Sequence, residues 1–187
     1  MSTLEGIREA LPGYARDLQL NLGTVLTPAG APGLTERQIW AVALACAAAS
    51  RNTAFSLRIQ SLAASHLDAA HVSAAHAAAS IMAMNNVYYR FLHLVEDPEY
   101  AKLPARLRMN VIGSPGIARA DFELLALAVS AINGCGSCVA SHERQLRQHG
   151  VGREAVQSAV RIAATVHAVA RVLESVDGEP VGRAAAA

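Results

Sequence analysis

Apolar residues recur along this chain with the three-to-four-residue period of a helix, and no stretch alternates apolar with polar residues as a half-buried strand would. The fold class this predicts is all-α. Thr35-Glu36-Arg37-Gln38 has the pattern of a capping box ahead of an apolar run from Ile39 to Ala49, so one helix begins there. A second follows Asn52. Asp68 caps a long helix reaching about Phe91, and Asp97-Pro98 and Leu103-Pro104 then mark a turn-rich connection with a further loop at Ser114-Pro115-Gly116. Asp121 to Ile132 reads as a helix ended by Asn133-Gly134, another begins close to Cys135 and stops at His149-Gly150, and a last one runs from about Arg153 to Leu173.

Alanine dominates the apolar runs. It is a strong helix former whose small side chain lets helices approach closely, and with 52% of residues hydrophobic and 17% charged, much apolar surface needs covering. An oligomer is expected. The length suits one domain, residues 1–176, with 177–187 read as a frayed tail because Gly178, Pro180, Gly182 and four alanines carry no apolar pattern. Shifting the sequence by 85 positions lays 36–57 over 121–142, which reads as two degenerate helical repeats. In that overlay Gln38, Ser50, Thr53 and Leu57 face Glu123, Cys135, Cys138 and His142, so the first copy lacks their chemistry.

Sixteen basic against fifteen acidic residues, with no long basic block, give no reason to expect nucleic acid as a partner. Charges and polar residues interrupt every apolar run before it reaches the ~18 residues of a membrane span. Residues 1–11 mix Glu5, Arg8 and Glu9 with apolar positions, unlike a signal peptide, and a cytoplasmic location is expected.

In a reducing compartment a paired CxxC points to chemistry or metal rather than to a structural disulfide. Cys46, alone among alanines, reads as a small buried residue. Cys135 and Cys138 are three residues apart, which on a helix puts their Cα atoms roughly 5 Å apart, a separation that permits a disulfide. His142 follows Cys138 by four, and all three side chains fall within a stripe about 60° wide. The imidazole therefore serves Cys138. A free thiol is only a few per cent thiolate at neutral pH, and a helix N-terminus and an adjacent His both favour the anion. Glu123, on the preceding helix, is placed to fold back and fix the His142 tautomer as third member of a relay. Taken without its context, Glu123 reads first as a carboxylate complementing a helix N-terminus, and the CxxC twelve residues on is what favours catalysis. Half of a zinc site is the other reading of CxxC, but a second ligand pair is absent and no metal is assigned. His66, His71 and His76 repeat every five residues, which scatters them around a helix and suits hydrogen bonding better than metal binding.

The combination Glu123…Cys135-Gly136-Ser137-Cys138…His142 resembles that of the AhpD-type alkylhydroperoxidases, alkyl hydroperoxide reductase D, within the carboxymuconolactone decarboxylase-like superfamily. The resemblance extends over nearly the whole chain, through Met84-Asn85-Asn86-Val87-Tyr88-Tyr89-Arg90, Leu107-Arg108-Met109-Asn110-Val111-Ile112 and Phe122-Glu123-Leu124. It implies a helical trimer with antioxidant alkylhydroperoxidase activity and catalytic roles for Glu123, Cys135, Cys138 and His142. It also implies a redox-active Cys135–Cys138 disulfide with no bound cofactor, a dihydrolipoyl group on a dehydrogenase-complex subunit as electron donor, and the peroxiredoxin alkyl hydroperoxide reductase C as partner. This chain departs from the family in having Ser137 where a histidine often precedes the second cysteine. The competing classes are a non-redox enzyme of the same broad fold, such as a decarboxylase or isomerase, and a structural helical oligomer with incidental thiols. Between the two cysteines, helix N-terminal position favours Cys135 as the attacking thiol and the imidazole favours Cys138, which is the assignment expected here, with Cys135 resolving.

Overall fold

The computed structural model describes residues 3–177, and among these every regular element is helical. Two elements near the amino terminus, α1 (Leu4–Glu9) and α2 (Arg16–Val25), precede α3 (Glu36–Ala49), α4 (Thr53–Ala63) and the long α5 (Ala69–Leu94). The connection that follows holds two short helices, α6 (Pro98–Lys102) and α7 (Asn110–Gly113). Then come α8 (Arg119–Ile132), α9 (Gly136–Gln148) and α10 (Arg153–Asp177).

The caps read from the sequence form. Thr35 Oγ1 accepts the Gln38 N–H while the Gln38 side chain accepts the Thr35 N–H, a complete capping box that starts α3. Asn52 and Asp68 accept the N–H groups of Phe55 and His71 and start α4 and α5. The tail expectation for 177–187 falls, apart from Asp177 at the end of α10, outside the described residues.

Helices α3 and α8 are the inner pair, each buried over nine consecutive residues, Ile39 to Ala47 and Phe122 to Ser130. Helices α5 and α10 pack against both of them, α4 lies on α3, α9 lies on α8 and α5, and α2 lies on α10. Burial on all sides explains the alanine-rich runs: small side chains let four backbones approach, and Phe122, Leu124, Leu125, Leu127, Leu44 and Ile39 fill the layers between them. No helix among the described residues is long and apolar enough to cross a membrane.

The helix boundaries recur at a spacing of 83 positions, where the sequence overlay used 85. Glu36 and Arg119 start the inner helices and Ala49 and Ile132 end them, 83 apart in both cases, as are Thr53 and Gly136 at the next starts. Ala69 and Arg153 are 84 apart. In this register Trp40, Asn52, Phe55 and Ile59 stand opposite Glu123, Cys135, Cys138 and His142. The two-residue slip has a simple origin: alanine matches alanine at many shifts, whereas caps and burial fix the register.

Asn52 ties the first unit to the second, because its Nδ2 donates to the Ala170 carbonyl of α10 at 3.1 Å while its Oδ1 caps α4. Losing a cap and a buried hydrogen bond together costs about 1–3 kcal/mol. Asn52→Ala should therefore lower stability by that amount in urea unfolding, without altering the circular dichroism of the folded protein.

Candidate active site

The turn between α8 and α9 sets the position of the cysteines. At the end of α8 the Gly134 N–H donates to Ala131 O at 3.2 Å and the Cys135 N–H to Ser130 O at 3.1 Å, the paired bonds of a Schellman motif. Gly134 sits at φ 68°, the left-handed conformation that glycine adopts without strain. The chain leaves α8 and enters α9 with Cys135 as the residue before its first turn, and the Cys135 carbonyl accepts the Val139 N–H at 2.9 Å.

Cys135 and Cys138 are joined by a disulfide, their Cα atoms 5.3 Å apart, as the helical spacing predicts. Cys135 has no exposed surface, whereas Cys138 lines a cavity of about 320 Å³. The Ser137 hydroxyl lies 3.5 Å from Cys135 Sγ and lines the same cavity. Cys46 is wholly buried, unpaired with any cysteine, and burial pushes its thiol far above the ordinary range.

Glu123 does fold back onto His142. Its Oε2 lies 2.6 Å from His142 Nδ1, and its Oε1 accepts from Arg119 Nε at 2.8 Å. Glu123 is 1% exposed, and such burial alone raises a carboxyl pKa. The hydrogen bonds and charges of His142 and Arg119 outweigh burial and hold Glu123 below its usual value. The carboxylate is therefore ionised at neutral pH and accepts a hydrogen bond from the Nδ1–H, which leaves Nε2 as the ring nitrogen available to chemistry in the cavity. Arg119 also reaches Ile112 O at 2.7 Å and so fixes the connection that closes over the site.

The other walls lay beyond the reach of sequence reasoning. Met82, Asn85 and Tyr89 come from α5, Met109 and Ile112 from the connection, and Ser141 and Gln145 from α9. Arg119 alone leaves a trace in the sequence, since it precedes Glu123 by four on one helix face. The cavity walls combine apolar Met82, Met109 and Ile112 with polar groups clustered near Cys138, an arrangement that accepts an apolar substrate with a reactive polar end.

Of the other histidines, His66 stacks on Trp40 with ring centroids 4.9 Å apart, His71 pairs with Asp68 at 2.8 Å, and His76 pairs with Gln60 at 3.2 Å. They serve packing and hydrogen bonding at separate places.

Comparison with known proteins places this geometry in context. A model of the carboxymuconolactone decarboxylase family matches residues 98–177, which take in the connection, the CxxC, Glu123 and His142. An alkyl hydroperoxide reductase AhpD from Rhodospirillum centenum is 50% identical over 173 residues, 92% of this chain and 91% of that protein. Proteins of the same name from Frankia alni and Methylobacterium sp. are 49% and 52% identical, covering 94% and 93% of this chain and 93% and 97% of their own lengths.

The Glu123 pair has a pH signature. A carboxyl whose pKa is lowered on folding contributes stability above its unfolded pKa, and that contribution is lost as pH falls through the folded value. Urea midpoints measured from neutral pH down into the acid range should fall more steeply for the native chain than for Glu123→Gln. At neutral pH the variant should be less stable by about 1–3 kcal/mol. Parallel curves would show that Glu123 does not hold this charge.

Proposed function

The chain belongs to the alkyl hydroperoxide reductase AhpD family, and on that premise we propose that it reduces alkyl hydroperoxides through a Cys135–Cys138 dithiol–disulfide cycle. The observation that carries the reading is that Cys138, and not Cys135, shares a cavity wall with the Glu123–His142 pair.

The cycle follows from that arrangement. His142 Nε2 takes the proton of the Cys138 thiol, and Glu123 stabilises the imidazolium through Nδ1. The thiolate attacks the terminal oxygen of R–O–O–H, the O–O bond breaks, and the alkoxide leaves as alcohol after taking a proton from His142. Cys138 is then a sulfenic acid. The Cys135 thiol attacks Cys138 Sγ, the S–OH bond breaks, and water leaves as the disulfide forms. A dithiol donor reduces that disulfide by exchange, so one peroxide and one dithiol yield alcohol, water and a disulfide. The helix N-terminus at Cys135 stabilises its thiolate as the resolving nucleophile.

The family premise supports a dihydrolipoyl group on a dehydrogenase-complex subunit as the donor, with no cofactor held by the protein, and the peroxiredoxin alkyl hydroperoxide reductase C as a second acceptor of electrons. A cytoplasmic setting, where thiols are kept reduced, suits the same cycle. Exposed Val87, Phe91, Leu94 and Leu103, gathered on α5 and the connection, support a trimer that covers them.

Purified protein should consume an alkyl hydroperoxide with dihydrolipoamide as the sole reductant, and no turnover by protein with both cysteines intact and reduced would overturn the proposal. Cys135→Ser should accumulate a Cys138 sulfenic acid that a dimedone-type probe labels, because the resolving thiol is gone. Cys138→Ser should abolish the peroxide reaction. Undiminished labelling of Cys135 in Cys138→Ser would exchange the two roles.

A further inference from the structure

A second cavity lies against a different face of α5 from the one that lines the thiol cavity. Asn85 and Tyr89 line the thiol cavity, while Asn86 and Arg90 line this one, a space of about 370 Å³ between the carboxyl-terminal ends of α3 and α8 and the side of α10. Three arginines line it, Arg51 from the turn after α3, Arg90 from α5 and Arg171 from α10, together with His167. No Asp or Glu is among its lining residues, and none of the three arginines forms an ion pair with a carboxylate of the described residues.

The cavity is constructed in detail. Arg90 is anchored by its Nη1, which donates to Asn133 O at 2.7 Å, and Asn133 Nδ2 in turn donates to Asn86 Oδ1 at 2.9 Å. His167 Nδ1 lies 3.1 Å from Ser50 Oγ, whose own proton goes to Cys46 O at 2.7 Å. Ser50 is therefore the acceptor and Nδ1 carries the proton, which leaves Nε2 free. Arg51 occupies φ 62°, the position that Gly134 fills in the matching turn of the second unit. A non-glycine residue held there is strained, and such strain persists where a side chain is needed at that point.

Three like charges gathered without a counter-charge repel one another, and guanidinium groups present forked N–H donors that match planar or tetrahedral oxyanions. We propose that this cavity is a binding site for a small oxyanion, a phosphate or carboxylate group, held by Arg51, Arg90 and Arg171 and completed by His167. Burial and the neighbouring Arg171 hold His167 below its usual pKa in the free protein. Arg171 on its own helix is the charge that acts on it, and the other charged residues lining the cavity, Arg51 on the α3–α4 turn and Arg90 on α5, are also cationic. A bound anion reverses that field and favours the imidazolium, whose Nε2–H becomes a further donor. The site is separate from the thiol cavity, so its occupancy does not obstruct peroxide.

The test is a titration of the full-length protein, in its native assembly, with inorganic phosphate and separately with acetate, at constant ionic strength maintained by chloride. Nuclear magnetic resonance of the His167 ring and of the arginine Nε–H groups reports binding. The expected result is saturable shifts of these groups and an upward move of the His167 titration midpoint. Arg51→Gln combined with Arg171→Gln should weaken binding roughly tenfold or more, the effect of losing charge-assisted hydrogen bonds. Tighter phosphate binding identifies the phosphate source and tighter acetate binding the carboxylate source, and both support the site. Shifts no different from those produced by chloride, or an affinity unchanged in the double variant, would overturn it. It is overturned equally if the double variant dissociates the assembly and phosphate does not compete for the arginines, since these would then serve carboxylates of a second copy.

Discussion

The arrangement of the thiol site depends on one buried carboxylate. Glu123 lies near the start of the buried stretch of α8, where an ionised group is costly unless fully partnered. His142 takes one oxygen and Arg119 the other, so the partners that make burial tolerable are also the ones that organise the site. The bond to His142 fixes the α9 face relative to α8 and determines which imidazole nitrogen is free. The bond to Arg119 reaches on through Ile112 to the connection that closes the cavity. A substitution at Glu123 thus affects charge, tautomer and loop position together.

The surrounding core is large enough to hold such a group. Two helix–turn–helix–helix units share one core, and the inner helices α3 and α8 are covered on all sides. In the first unit the positions matching Glu123, Cys138 and His142 are Trp40, Phe55 and Ile59, apolar residues of which the last two are wholly buried. The first set of helices is thus hydrophobic at the positions where the second carries ionisable and thiol groups. The turns differ in the same sense: Gly134 relaxes the turn leading into the cysteines, while Arg51 in its counterpart brings a charge to a separate cavity.

Local signals carried much of this in the sequence. The capping box at Thr35, the caps at Asn52 and Asp68, and the Asn133-Gly134 stop each depend on a few adjacent residues and could be read directly. Spacing alone placed Cys135, Cys138 and His142 on one face, and the fold-back of Glu123 was foreseeable because a three-residue turn leaves α8 and α9 side by side. What could not be read depends on contacts distant in sequence. The Asn52 to Ala170 bond, the walls contributed by Met82, Tyr89 and Met109, and the gathering of Arg51, Arg90 and Arg171 all require packing between helices. Helices α1 and α2 leave little trace in the sequence because they are short and mixed in polarity; they are held by packing on one another and, for α2, on α10.

In the proposed cycle the Glu123–His142 pair activates the Cys138 thiol. Ultraviolet thiolate absorbance of reduced Cys135→Ser, in which Cys138 is the only accessible thiol, followed against pH tests it most directly. The account predicts that the Cys138 thiolate forms below the ordinary thiol value of about 8.5, and that adding Glu123→Gln moves the midpoint upward. A midpoint at the ordinary value that does not respond to Glu123→Gln would contradict it.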